Sequence, residues 1–140
     1  MLPVEHIGIA VRSLEKSIPL YELLLNTPCY KRETVTREQV DTAFFRRGDT
    51  KIELLQSLDA EGVIARFIDK RGEGIHHIAL AVDDIYAEIK RLKSAGLEFL
   101  HEEPKAGADN KLICFLHPKS TQGVLVELCM ERPDTDSGAL

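Results

Sequence analysis

No apolar run in this chain approaches the roughly 20 residues that span a bilayer. The N-terminal stretch also lacks the charged-then-apolar pattern of a secretory signal, so a cytoplasmic protein without membrane association is expected. Cysteines are few. Cys29, Cys114 and Cys129 are odd in number, widely spaced and without a C-x-x-C pair, which reads as buried reduced thiols with no assigned chemistry. Basic residues are in deficit: 18 Lys and Arg against 23 Asp and Glu leave a net charge of −5. With no basic stripe to contact phosphates, nucleic acid is excluded as a general partner. A Walker-type glycine loop is missing as well, so any phosphorylated small ligand must be held by a few local cations.

What remains is the composition of one soluble domain, 44% hydrophobic and 29% charged over 140 residues. Its pattern is a duplication. Val4-Glu5-His6-Ile7-Gly8-Ile9-Ala10-Val11 matches Ile75-His76-His77-Ile78-Ala79-Leu80-Ala81-Val82, and Lys51-Ile52-Glu53-Leu54-Leu55 matches Leu125-Val126-Glu127-Leu128-Cys129. Each half has the order βαβββ. Strands are expected at 4–11, 29–36, 41–46 and 51–55, then at 75–82, 97–100, 111–116 and 124–128. A helix capped by Ser13 or Ser17 runs to about Leu25, with Leu14, Ile18, Tyr21, Leu24 and Leu25 on its apolar side. Pro19 either falls in its first turn or kinks it. Helices at 59–70 and 84–95 follow, the latter capped by Asp83 or Asp84 and stopped by Gly96.

The expected architecture is therefore α+β, a single domain over 1–140 in which two tandem βαβββ modules form one cupped mixed sheet. Residues 4–56 make the first module, 57–73 a helical linker, 74–130 the second module and 131–140 a flexible tail.

Strand alternation places His6 on one face with Gly8 and Ala10, and His77 with Ala79 and Ala81. Small neighbours beside a polar residue leave room, so this face lines a cavity. A lone strand histidine is more often a hydrogen-bonded core residue than a ligand. A lone mid-strand glutamate is more often paired with a cation or turned to solvent. Repetition of both types in both halves reverses that reading: His6, His77, Glu53 and Glu127 are expected to converge on a divalent ion at the join. The same alternation turns His76 toward the helix-packed side, and His101 and His117 fall near strand ends.

These residues resemble the vicinal oxygen chelate superfamily and, within it, the methylmalonyl-CoA epimerases. The stretches that carry the likeness are His6-Ile7-Gly8-Ile9-Ala10-Val11, Gly72-Glu73-Gly74-Ile75-His76-His77-Ile78-Ala79 and Phe115-Leu116-His117-Pro118-Lys119-Ser120-Thr121 with its continuation to Leu128. The resemblance implies His6, His77 and Glu127 as metal ligands, with Glu53 at or near the ion. It implies one divalent metal, cobalt favoured, with zinc, nickel or manganese as alternatives, and a homodimer acting on a CoA thioester. The implied reaction interconverts (2R)- and (2S)-methylmalonyl-CoA at C2, with Glu127 and Glu53 as the opposed acid and base. Some relatives place a further carboxylate on the strand around Thr42; this chain has Thr42 there, and the adjacent Asp41 should face the other way unless a bulge intervenes. Lys119, and less directly Lys105, Lys111 or Arg47, are candidates for CoA phosphates, and the Gly107-Ala108 backbone for the substrate carboxylate. A lactoylglutathione lyase of the glyoxalase type is the alternative enzyme, and a metal-free drug-binding protein the alternative class.

Overall fold

The computed structural model describes residues 2–133. Among these residues the chain forms eight strands and three helices. The first half contains β1 (Val4–Ala10), α1 (Leu14–Leu25), β2 (Lys31–Val35), a 3₁₀ turn (Thr36–Glu38), β3 (Val40–Arg47) and β4 (Thr50–Ser57). After α2 (Val63–Arg71) the second half repeats the order: β5 (Gly74–Ala81), α3 (Ile85–Ser94), β6 (Lys105–Ala106), a 3₁₀ turn (Ala108–Asn110), β7 (Lys111–Phe115) and β8 (Val126–Glu131). The strands form one mixed sheet in the order β2-β3-β4-β1-β5-β8-β7-β6. β1 runs parallel to β4, β5 parallel to β8, and β1 meets β5 antiparallel at the centre. The join therefore relates the halves by a pseudo-twofold axis, and the sheet is a curled half-barrel.

Side-chain spacing explains which helix packs where. Leu14, Ile18, Tyr21 and Leu25 recur every three or four residues along α1 and meet Val11, Ala43, Phe45 and Leu54 on the convex face. Leu24, expected beside them, faces solvent at 67% exposure. Ile85, Ile89 and Leu92 of α3 do the same against Cys114, Leu116 and Leu128. Ile64 and Ile68 of α2 pack instead on Ala10, Val40 and Leu55, on the concave side.

Several boundaries differ from expectation for local reasons. Ser13, not Ser17, caps α1, its side chain accepting from Lys16 N, so Pro19 lies within the helix. α2 starts at Val63 behind Gly62 rather than at Asp59. The stretch 97–100 contributes only an isolated bridge, Phe99 to Leu116, and the edge strand forms at Lys105–Ala106 instead. Glu131, placed at the head of the tail, closes β8, and residues 134–140 of that tail lie outside the described residues. Among the described residues no helix is long and apolar enough to cross a membrane.

Phe45 is fully buried between α1 and the sheet. Phe45→Ala is expected to lower stability by about 3–5 kcal/mol, read as a reduced midpoint in urea denaturation.

Candidate metal centre and acid–base site

Hydrogen-bond register assembles the site before any side chain is considered. Across the central strands, Phe44 on β3 pairs with Glu53 on β4, Glu53 with Gly8 on β1, and Gly8 with His77 on β5. The mirror row runs Phe115 on β7, Glu127 on β8, Ala79 on β5 and His6 on β1. Each row reads Phe, Glu, small residue, His, and the two rows lie side by side in opposite directions. The small residues are steric requirements. A Cβ on Gly8 would sit 2.2 Å from Cε1 of His77, so the His77 ring occupies the space a side chain on β1 would need.

His6, His77 and Glu127, all buried, form a cluster whose ligand atoms lie within 4.8 Å of one another. The two Nε2 atoms are 3.0 Å apart. Glu127 Oε1 is 3.4 Å from His77 Nε2, and its Oε2 is 3.7 Å from His6 Nε2. Donors about 2.0–2.2 Å from an ion stand about 2.8–3.6 Å apart for angles between right and tetrahedral, so this mixed N/O set fits a divalent cation. Glu53 is buried in the same cavity but approaches the other ring nitrogen: its Oε2 is 3.2 Å from His6 Nδ1.

Two bulges place residues that strand alternation misassigns. The β1–β5 register slips between Val4 and His6, leaving Glu5 unpaired, and again between Gly8 and Ile9, leaving His76 unpaired. Each extra residue then reaches the ligand histidine beside it. Glu5 Oε1 lies 2.6 Å from His6 Nδ1, and His76 Nδ1 lies 3.0 Å from His77 Nδ1. His76 therefore packs its ring on Phe67 of α2, as a helix-packed residue, but on the concave side, where it also lines the cavity instead of facing away from it. The signal was present in the sequence as the aligned pair Glu5 and His76, but only the bulges give it meaning.

Burial disfavours charge on His6, yet hydrogen bonds to Glu127 and Glu5 and the Glu53 charge outweigh it and raise its pKa to about 10. Burial, then the charge on His6, holds His77 well below the usual histidine range, and burial takes His76 down to about 4. Burial, reinforced by Glu127 and Glu5 against the opposing pull of His6, raises Glu53 to about 7. Without an ion the assigned proton pattern is a charged His6 donating to Glu5 and to His77 Nε2, with His77 Nδ1–H donating to His76.

The cavity encloses about 420 Å³ and is walled by Val35, Val40, Leu55, Ile113 and Phe115. His101, stacked on Phe115, also lines it, whereas His117 caps the 3₁₀ turn Pro118–Thr121. Thr42 faces the cavity, and its buried Oγ1 has no hydrogen-bond partner among the described residues. Glu38, which the sequence reading missed, enters from the turn before β3; Lys105 Nζ lies 3.0 Å from its Oε1 as an ion pair. Gly107 and Ala108 line the wall, but the Gly107 N–H donates to Lys111 O at 2.9 Å and so is not free for a substrate carboxylate. Lys119 stands outside the wall, exposed and 3.0 Å from Glu98.

Titrating chelator-stripped protein with Co²⁺ at about pH 8 is expected to release about one proton per ion, followed by a pH indicator. The ion must displace the His6 proton, which is retained up to about pH 10. Apparent affinity should thus rise about tenfold per pH unit toward that value. Gly8→Ala should weaken Co²⁺ binding by about 100-fold or more by displacing His77, measured by the visible absorbance of the bound ion.

Comparison with known proteins accords with this fold. A model of the glyoxalase/bleomycin resistance protein/dioxygenase superfamily matches residues 5–115. The uncharacterized protein YqjC of Bacillus subtilis is 37% identical over 94% of each chain. The ethylmalonyl-CoA/methylmalonyl-CoA epimerase of Cereibacter sphaeroides is 41% identical, over 89% of this chain and 95% of that protein. The crystal structure of methylmalonyl-CoA epimerase from Mycobacterium tuberculosis superposes with a TM-score of 0.90 at 34% identity, over 96% of this chain and 91% of the other. The chain belongs to the glyoxalase/bleomycin resistance protein/dioxygenase superfamily and, within it, to the methylmalonyl-CoA epimerases, a family of isomerases.

Proposed function

We propose that this protein interconverts the (2R) and (2S) epimers of methylmalonyl-CoA by moving the proton at C2. The observation that carries the reading is the paired row of register: two imidazoles and two carboxylates meet at the floor of one largely apolar cavity. The relatives' names supply the substrate class, a CoA thioester.

Loss of the C2 proton beside a thioester moves negative charge onto the thioester oxygen. A divalent ion held by His6, His77 and Glu127, with Glu53 adjacent, would supply positive charge where that oxygen gains its negative charge. The chain's own residues do the rest. Glu5 and His76 hold the two ligand rings in orientation through their Nδ1 atoms. The apolar wall excludes water, which strengthens every charge interaction inside. Cobalt as the ion, a homodimeric assembly in the cytoplasm, the Ala108 amide for the substrate carboxylate and Lys119 for the CoA phosphates complete the proposal.

Inversion needs a proton carrier on each side of the planar C2. Glu127 and Glu53 come from strands related by the pseudo-twofold axis, and a Glu53 pKa of about 7 suits it to exchange a proton near neutrality. One observation favours Glu38 as the partner of Glu127 instead: it lines the cavity from a rim segment outside the histidine cluster, so an ion there would not suppress its basicity.

Incubating methylmalonyl-CoA in D₂O with the protein is expected to place deuterium at C2, and chelator should stop it. Absent or chelator-insensitive exchange would falsify the epimerase reading. Glu127→Gln should reduce epimerisation by about 10²–10⁴-fold. Of Glu53→Gln and Glu38→Gln, the variant lacking the second proton carrier should still exchange one epimer with solvent while failing to convert it to the other.

A further inference from the structure

Two ion-pair clasps tie the free edges of the sheet together, and they are related by the same pseudo-twofold axis as the site. In each module the 3₁₀ turn between the second and third strands carries a carboxylate that meets an edge-strand lysine of the other module. Glu38 takes Lys105 at 3.0 Å, and Asp109 takes Lys31 at 2.7 Å. Arg37 adds a bond to Ala106 O at 3.4 Å on the first side, and the Asp109 N–H donates to Glu33 Oε1 at 2.9 Å on the second.

The symmetry is broken at Asp109. Its other oxygen, Oδ2, accepts from Lys51 Nζ at 2.7 Å, and Lys51 also donates to Glu5 Oε2 at 2.7 Å. Glu5 Oε1 in turn faces His6 Nδ1. An alternating series of charges, Lys31, Asp109, Lys51 and Glu5, thus runs unbroken from the rim of the cup to the ring of a candidate ligand. Asp109 and Asn110 both hold left-handed backbone, with φ of 58° and 56°. Two successive non-glycine residues there require an outside restraint, and the lysines provide it. The same turn carries Gly107 and Ala108 against the cavity.

We infer that Lys51 and Asp109 are positioning residues: they lock the 107–110 turn to the metal-ligand end of the site, so that substrate wall and ligand histidine are ordered by one chain of ion pairs. This rests on the epimerase reading for its kinetic part only. On the other side the series stops at the Glu38–Lys105 pair and Glu38 lines the cavity, while both carboxylate oxygens of Asp109 are held by lysines.

The test uses the full chain with Co²⁺ and methylmalonyl-CoA. Asp109→Asn should raise KM about tenfold, leave kcat within about threefold and change Co²⁺ affinity by less than about threefold, since Glu5 keeps Lys51. Lys51→Met removes both links, and should raise KM similarly and also weaken Co²⁺ binding by about 10-fold or more. Lys51→Arg should restore Co²⁺ affinity. Circular dichroism and thermal melting confirm that each variant is folded before comparison. Folded Lys51→Met with Co²⁺ affinity and KM both within twofold of wild type overturns the inference, as does an Asp109→Asn variant whose loss lies in kcat alone. If wild-type protein fails to exchange C2 at all, the epimerase reading falls, while the Co²⁺ comparison of Lys51→Met with Lys51→Arg still decides whether Lys51 acts on the ligand end.

Discussion

Antiparallel pairing of β1 with β5 sets Gly8 opposite His77 and Ala79 opposite His6, and the rest of the site depends on that contact. The two strands belong to different modules, so neither half owns a complete site. Each contributes one ring that crosses the join and one small residue that lets the other ring pass. The outer strands then add a glutamate from each side at the same level, Glu53 through Gly8 and Glu127 through Ala79. A duplicated chain with a twofold join needs only one such solution, used twice.

The charge balance of the cup follows from the same packing. Glu5, Glu53 and Glu127 crowd around His6 and His77 in one buried region, an arrangement that burial alone would not tolerate. Burial works against ionised Glu5, but hydrogen bonds from His6 and Lys51 outweigh it and hold its pKa at about 2. Burial also works against Lys51, and Asp109 and Glu5 together push its pKa above the usual lysine range. Among the described residues Glu53 has no lysine hydrogen-bonded to it, and burial raises its pKa to about 7. Positive charge at the floor of the cavity, whether a proton on His6 or an ion between the rings, is therefore demanded by the surrounding carboxylates.

The pseudo-symmetry has been kept where it builds the fold and dropped where the chemistry is directional. Glu5 and His76 occupy equivalent bulges, yet one presents an anion and the other a neutral ring, so the two ligand histidines are not equivalent donors. The rim turns are likewise matched in position and different in detail, with Glu38 lining the cavity beside one lysine and Asp109 held between two. An epimerase reads two mirror-related forms of one carbon with an asymmetric CoA tail, and a perfectly symmetric cup would bind that tail two ways.

Much of this was legible in the residues themselves. The duplication, the βαβββ order, the helical faces at Leu14, Ile18, Tyr21 and Leu25, and the shared face of His6 and Gly8 all follow from periods of 2 and 3.6, which are local properties of the backbone. Three features were decided only in three dimensions. Bulges at Glu5 and His76 reverse a side chain's face through hydrogen bonds to another strand, so alternation along one strand cannot reveal them. Glu38 enters the cavity because the sheet curls, and the Lys31–Asp109–Lys51 chain exists because the rim of one half closes on the other. Local pattern determined which faces were apolar and which residue types were paired across the repeat. The closure of the two halves determined which atoms meet, because register and curvature depend on partners far apart in the chain.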